Sequence, residues 1–130
     1  MEPHVDIVHG WTNEDLVDLK KDFMGLANAV FGMFVTDDYY KSKFMDNIYG
    51  PSMVTVAYVD GYPAGADVMW RNDLAGEKAY QTVDTCVLEK YRGMGLFRKM
   101  TNYELDILGS DTLVYGFPNA NSYPGYVKMG

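Results

Sequence analysis

The spacing of apolar residues changes twice along this 130-residue chain, and that change constrains its fold more than any other feature. Three segments, 52–59, 64–71 and 78–88, alternate apolar and polar residues with the period of two that is typical of strands. The sequences between them, DGYP and NDLAGE, have the length of hairpin turns. The middle of the chain is therefore predicted to form an antiparallel meander of three strands.

Two helices are predicted before the meander. The first begins after the capping residue Thr12, and its apolar residues recur every three or four positions from Leu16 to Val30. The second begins at residue 36 or 37 and ends at Gly50–Pro51. Its apolar stripe is expected to consist of Tyr40, Phe44 and Ile48.

A third helix is predicted after the meander, and a further strand at 112–117 follows it. The apolar face of this helix is expected to carry Leu96, Met100, Tyr103 and Ile107. A strand–helix–strand unit over 78–117 implies a right-handed crossover between two parallel strands. With a short strand at 5–9 and a short helix at 122–129, the order predicts a single α+β domain over residues 1–130, a sheet covered by helices.

The composition excludes several classes of protein. A formal net charge of −7 argues against binding to nucleic acid or to anionic membranes, since both need a basic surface. Cys86 is the only cysteine, so a disulfide framework or a cysteine-based metal site within one chain is excluded, and no metal is expected. No apolar run is long enough for a membrane span and the N-terminus lacks a signal-peptide core, so we expect a cytoplasmic protein.

One short stretch, EKYRGMGLFRK at 89–99, is rich in basic residues although the net charge of the chain is negative. It holds four of the eleven basic residues. Arg98 and Lys99 fall in the first turn of the third helix, where the helix dipole disfavours each cation by roughly 0.3–1 kcal/mol. An anion bound at this turn would explain their placement, and Gly93 and Gly95 would let the backbone approach it. The turn is interpreted as a phosphate site, most simply for a diphosphate. The alternative is a tight turn whose side chains point into water.

The segment VDTCVLEKYRGMGLFRKM resembles the acetyl-CoA-binding motif of the GNAT superfamily of acyl-CoA-dependent N-acetyltransferases. Phe97 departs from the motif, because glycine or alanine is usual at its position. A second segment, NANSYPGYVKMG, resembles the late strand, loop and helix of that superfamily with its tyrosine. The residues that fit the turn of the motif are Arg92, Gly93, Met94, Gly95 and Leu96.

The resemblance implies a GNAT-like mixed sheet, with an antiparallel meander, one β-α-β crossover and helices on both faces. It also implies transfer of an acetyl group from acetyl-CoA to a primary amine of a small molecule, such as an amino sugar, by direct attack in a ternary complex. Tyr126 would then protonate the departing thiolate, and the segment 33–43 would shape the acceptor pocket. The implied cofactor-binding residues are Val87, Leu88, Arg92, Gly93, Met94, Gly95, Leu96, Phe97, Arg98, Asn119 and Ser122.

The general base is a separate prediction, made from the last strand of the meander. If Val83 and Val87 face one core, Asp84 and Cys86 share the other face, where a partly buried carboxylate can accept the amine proton through water. Asp67 on the neighbouring strand is an equal alternative, and a solvated or salt-bridged role for Asp84 stays open. Cys86 itself is expected to be a small buried core residue.

A further departure from the GNAT pattern leaves other functions open. GNAT proteins normally continue past the tyrosine-bearing helix with a further strand pair, whereas this sequence ends at Gly130. We therefore expect a C-terminally truncated domain with an exposed sheet edge, which favours a homodimer. The remaining alternatives are a non-catalytic acyl-CoA-binding module with a GNAT-like fold, and an unrelated α+β interaction domain whose glycine turn is purely structural.

Overall fold

A mixed sheet of five strands organises the computed structural model, which describes residues 2–32, 35–109 and 112–116. The strands lie side by side in chain order. The first four pair antiparallel, and the fifth pairs parallel to the fourth. The predicted meander and the parallel connection through a helix are both confirmed. The strands are β1 Val5–Gly10, β2 Met53–Val59, β3 Tyr62–Arg71, β4 Ala79–Val87 and β5 Leu113–Gly116.

In the described part of the chain, three α-helices accompany this sheet: α1 at Asn13–Phe31, α2 at Asp37–Tyr40 and α3 at Leu96–Leu108. The start of α1 is fixed by the predicted cap, because the Thr12 side chain accepts from the Asp15 amide while the Asp15 side chain accepts from the Thr12 amide. Helix α2 continues directly into a π-helical turn at Lys41–Met45, and a 3₁₀ turn at Glu89–Tyr91 precedes α3.

The helices cover both faces of the sheet, as predicted. Along β2, Val54 and Val56 face α1, whereas Ala57 and Val59 face α3. Because both faces are covered, six of the seven β2 residues are buried. Within the described residues, no helix combines the length and the apolar character needed to cross a membrane.

Two predicted helix faces need correction. Ile48 is 90% exposed, because the helical turn ends at Met45 and residues 46–50 form a loop outside the core. Ile107 is 36% exposed, whereas Glu104 is fully buried. The buried side of α3 follows the i, i+4 series of Met100, Glu104 and Leu108, so the carboxyl group of Glu104 occupies a position in the core.

Candidate functional site: a bulged strand, a clamped carboxylate and an open glycine turn

A β-bulge in β4 changes the direction in which the side chains around Asp84 point. Val83 pairs with Val68 and Cys86 with Ala66, so two residues of β4 lie opposite Asp67. Asp84 is one of them and has a φ of 53°. The bulge shifts the alternation of side chains along the strand.

This bulge makes one expectation wrong. Val83 packs on the α1 side and Val87 on the α3 side, so the two valines do not face one core. The inserted residue reverses the alternation between them. Asp84 and Cys86 nevertheless both lie on the α1 side, as expected.

The Asp84 carboxylate is clamped by two residues from the helical segment 37–45. Tyr39 donates its hydroxyl to Asp84 Oδ2 at 2.9 Å, and Lys43 Nζ lies 3.6 Å from the same oxygen. Lys43 Nζ also donates to the Tyr39 hydroxyl oxygen at 2.8 Å. Burial, followed by the neighbouring Asp84 carboxylate, raises the pKa of Tyr39, so the phenol stays a donor at neutral pH.

Aromatic rings hold the Lys43 ammonium beside this carboxylate. Nζ lies 5.0 Å from the ring centre of Tyr39, 5.2 Å from that of Trp70 and 5.7 Å from that of Phe44. A cation is attracted to ring faces at such distances. The sequence reasoning missed both Tyr39 and Lys43. Their i, i+4 spacing before the meander is the signal that places a phenol and a cation on one helix face.

A pocket of about 230 Å³ lies next to Asp84 on the α1 side of the sheet. Val35 and Tyr39 of the segment 33–43 line this pocket, and the role of that segment in binding an acceptor stays a prediction. Asp84 gives this pocket a negative end, while its remaining wall is built by α1. The lining residues are Phe23, Ala27, Phe31, Val35, Tyr39 and Asp84.

The edge of β4 opens just beyond the bulge. Strand β5 pairs only with residues 79–82, so the next residues of β4 have no partner strand on that side within the described chain. Leu88 donates its amide to Ala64 at 2.9 Å, which makes Val87 a residue whose backbone groups point away from β3. The Leu88 carbonyl also accepts from Tyr91. The Leu88 amide is therefore engaged inside the sheet, and Val87 stays the candidate for contact with a thioester.

The glycine turn before α3 faces open space, and a glycine is the N-cap of the helix. Gly93 and Gly95 have φ values of 91° and 74°, which L-residues with side chains rarely adopt. A Cβ placed on either glycine would meet no atom within 4 Å, so open space faces the turn. Gly95 is the N-cap of α3 and makes no side-chain capping hydrogen bond. The helix N-terminus therefore presents its positive dipole end to this space.

The residues around the glycines divide into exposed cations and buried anchors. Arg92, Arg98 and Lys99 are exposed, and none forms an ion pair with a carboxylate of the described residues. Arg92 Nε donates to the Val87 carbonyl at 3.2 Å, which ties the turn to the open edge of β4. Leu96 is buried in the core under α3, with Met94 packed against it, and Phe97 is half-buried. Met94 and Leu96 can thus offer only their backbone to a ligand.

A second carboxyl site lies on the opposite face of the sheet. Asp67 is 1% exposed and Glu104 is 0% exposed, and the neighbouring Asp67 carboxyl group contributes to raising the pKa of Glu104. Taken as two carboxylates, Asp67 Oδ2 and both Glu104 oxygens have no donor. Burial is the main cause that raises the pKa of each group, so the pair retains a shared proton. Asp67 faces away from the pocket that Asp84 lines, and its role as an alternative base stays a prediction.

Other sequence predictions have separate outcomes. Cys86 is buried as expected, and burial raises the pKa of its thiol to about 12, so it is not a thiolate nucleophile at neutral pH. Among the described residues, no group of three or more His, Cys, Asp or Glu side chains is arranged to hold a metal ion. Asn119, Ser122 and Tyr126 lie outside the described residues, and their roles stay predictions.

Comparison with solved structures identifies the fold. A glucosamine-6-phosphate N-acetyltransferase from Arabidopsis thaliana superposes with a TM-score of 0.70 and 22% identity, over 98% of this chain and 90% of that one. A ribosomal-protein-alanine N-acetyltransferase from Brucella melitensis biovar Abortus 2308 gives 0.69 and 19%, over 98% and 91%. An acyl-CoA N-acyltransferase from Pseudomonas aeruginosa gives 0.72 and 19%, over 98% and 86%.

The chain has the GNAT fold. No protein-family model and no curated protein sequence matches it. The GNAT fold is therefore established by the arrangement of strands and helices, while sequence similarity is low. The roles of individual residues in this GNAT fold have to be argued from their own geometry.

Proposed function

We propose that the chain is an acetyl-CoA-dependent N-acetyltransferase that acts on the primary amine of a small molecule. The observation that carries the proposal is the open turn at Gly93 and Gly95. It combines positive φ angles, free space at both Cα atoms and a helix that begins at a glycine, beside cations that form no ion pair with the carboxylates of the described residues. These are the properties of an anion site, and acetyl-CoA carries a diphosphate that such a site can bind.

Acetyl-CoA is proposed to bind at two adjoining places, the glycine turn and the open edge of β4. The amides at the start of α3 hold the diphosphate, and Arg92 and Arg98 neutralise part of its charge. The Val87 amide, on the open edge of β4, donates to the thioester carbonyl and polarises it. When bound, acetyl-CoA supplies the activated acetyl group. Asn119 and Ser122 are kept in the proposal as further binding residues.

Asp84 is proposed as the general base. Its side chain is 24% exposed, so a substrate can reach it, while the contacts with Tyr39 and Lys43 fix its orientation. Asp84 accepts a proton from the ammonium group of the acceptor, directly or through one water. The neutral nitrogen bonds to the acetyl carbon, the carbon–sulfur bond breaks, and the new amide nitrogen releases its second proton to solvent. The electron pair leaves on the thiolate, and Tyr126 is proposed to protonate it.

The acceptor is proposed to be a small amine, and an amino sugar is one candidate. Support for this class comes from solved neighbours that include a glucosamine-6-phosphate N-acetyltransferase and an aminoglycoside acetyltransferase from an uncultured soil sample. A cytoplasmic location and a homodimer formed through a sheet edge also belong to the proposal. Strand β5 is the last strand of the sheet within the described residues.

Calorimetry with acetyl-CoA tests the cofactor site. We expect binding that Gly95→Val weakens at least tenfold, because a β-branched residue is strained at a φ of 74° and fills the space for the diphosphate. Gly76→Val is the matched control. Gly76 has a φ of 80° and open space at its Cα, but lies in the turn between β3 and β4. Equal affinity in the two variants would contradict the phosphate site.

A thiol-release assay over a panel of amines separates catalysis from binding. Turnover of any primary amine supports the transferase. Acetyl-CoA binding without turnover would instead assign a non-catalytic acyl-CoA-binding module. If acetyl-CoA fails to bind even at millimolar concentration, the turn is structural and the domain has a different function.

A further inference from the structure

The pocket beside Asp84 is small and mostly apolar. Its volume of about 230 Å³ is below the roughly 300–1,000 Å³ typical of pockets for drug-sized ligands. A pocket of this size holds one ring or a short alkyl chain. Four of its six lining residues carry apolar side chains: Phe23, Ala27, Phe31 and Val35.

The polar groups of the pocket are few and partly engaged. Tyr39 donates its hydroxyl to Asp84 Oδ2, and its oxygen accepts from Lys43. Within the described residues, both contacts of the Asp84 carboxylate are to Oδ2, which leaves Oδ1 for a ligand. A sugar would bury several hydroxyl groups here, and each would need a partner that the apolar wall does not supply.

We propose that the acceptor is a primary monoamine carried on a small apolar body. Its ammonium group binds Asp84, and its apolar part packs against Ala27, Phe31 and Val35. This inference rests on the proposed acetyltransferase function and specifies its acceptor. A single positive charge matches the single carboxylate of the pocket, and an apolar body matches the remaining wall.

The positive charge of Lys43 favours acceptors with one amine over acceptors with several. Its ammonium already lies 3.6 Å from Asp84, so the clamped carboxylate carries a positive neighbour before any ligand binds. A polyamine or an aminoglycoside would bring several further charges toward Lys43, which opposes their binding. A monoamine brings one charge, and the apolar contacts supply the rest of its affinity.

Equilibrium binding of amines to the protein, with and without CoA, tests the pocket directly. In a series from propylamine to hexylamine we expect affinity to rise about fourfold for each buried methylene group. We also expect 2-phenylethylamine to bind more tightly than glucosamine or spermidine. A flat series, or tighter binding of glucosamine or spermidine, would overturn the inference.

Two variants on one helix locate the bound amine. Phe31 lines the pocket and is 40% exposed, so Phe31→Ala is expected to fold and to weaken 2-phenylethylamine binding about tenfold. Val17→Ala is the matched control, because Val17 is also an exposed apolar residue of α1 but lies outside the pocket. Equal effects of the two variants would overturn the assignment. Asp84→Asn should abolish the preference for the charged amine over its uncharged alcohol analogue, and a retained preference would count against it.

The two proposals can fail separately. Turnover of glucosamine without turnover of 2-phenylethylamine would overturn the acceptor inference and leave the transferase intact. Absence of acetyl-CoA binding would overturn the transferase. The amine-binding series would still decide whether the pocket recognises apolar monoamines.

Discussion

Asp84 and Asp67 lie opposite each other in the pairing of β4 with β3, yet their carboxyl groups lie on opposite faces of the sheet. Asp84 is partly exposed, clamped by Tyr39 and Lys43, and lines a pocket. Asp67 is buried, accepts a hydrogen bond from the Thr85 hydroxyl and neighbours Glu104. A carboxylate with a counter-ion and access to solvent is available for chemistry, whereas a buried pair is committed to the core.

The Thr85 hydroxyl connects the two sites. It donates to Asp67 Oδ1 at 2.5 Å, and Thr85 is the neighbour of Asp84 in the bulge. The buried pair thus holds the strand segment that turns Asp84 toward the pocket. If this comparison is right, substitutions on the buried side act on stability and those on the pocket side act on turnover.

The largest expected effect is on the stability of Glu104→Ala. This change leaves Asp67 without its proton-sharing partner and opens a cavity under α3, which costs about 3–5 kcal/mol of unfolding free energy. Urea denaturation monitored by circular dichroism measures it. A loss below about 1 kcal/mol would show that the pair is not the buried, proton-sharing unit described here.

Asp84→Asn is expected to lower kcat by about 100-fold or more, since a positioned general base typically contributes 10²–10⁴. Its unfolding free energy should change by no more than about 1 kcal/mol, because the ion pair with Lys43 is partly exposed. Thiol release and denaturation are measured on the same preparation. A variant that loses stability but keeps its turnover would show that Asp84 contributes to stability rather than to catalysis.

The pH dependence of stability is expected to follow Glu104. Its folded-state pKa is raised well above 4.5, so the folded state keeps a proton that the unfolded chain has lost. Stability should therefore fall as pH rises above about 4.5, by up to about 1.4 kcal/mol per pH unit, until the shared proton is lost. Glu104→Gln, which donates to Asp67 without titrating, should remove this slope. An unchanged slope would assign it to other groups.

The smallest effect is expected for Tyr39→Phe, which removes one hydroxyl and keeps the ring over Lys43. Its stability cost should be about 1 kcal/mol. Turnover should fall by about tenfold, because Asp84 loses the donor that orients it. Thr85→Val is the matched change on the buried side, since it removes the donor to Asp67. We expect it to cost more stability than Tyr39→Phe, and the reverse order would contradict the comparison.

Local sequence signals predicted most of the architecture. The alternation in the three segments after residue 52 gave the meander, and the cap at Thr12 gave the start of α1. Both signals are local, since period and capping depend on residues within one turn or one strand. The Gly93–Gly95 turn was predicted on the same basis, because positive φ is a property of single residues.

Contacts between distant segments were harder to predict. The clamp on Asp84 joins Tyr39 to a residue 45 positions later, and no local pattern encodes that distance. The bulge that separates Val83 from Val87 depends on pairing with β3, so simple alternation gave the wrong face. The pairing of Glu104 with Asp67 depends on α3 packing over β3, which no local pattern encodes.

By itself, the sequence determined the order of helices and strands, the open glycine turn before α3 and the presence of an aspartate near the end of β4. Only the tertiary structure decided which aspartate faces the pocket and which is buried with Glu104. The reason is physical: periodicity and φ preferences are set by neighbours along the chain, whereas burial, clamping and proton sharing arise when strands pair and helices pack across them.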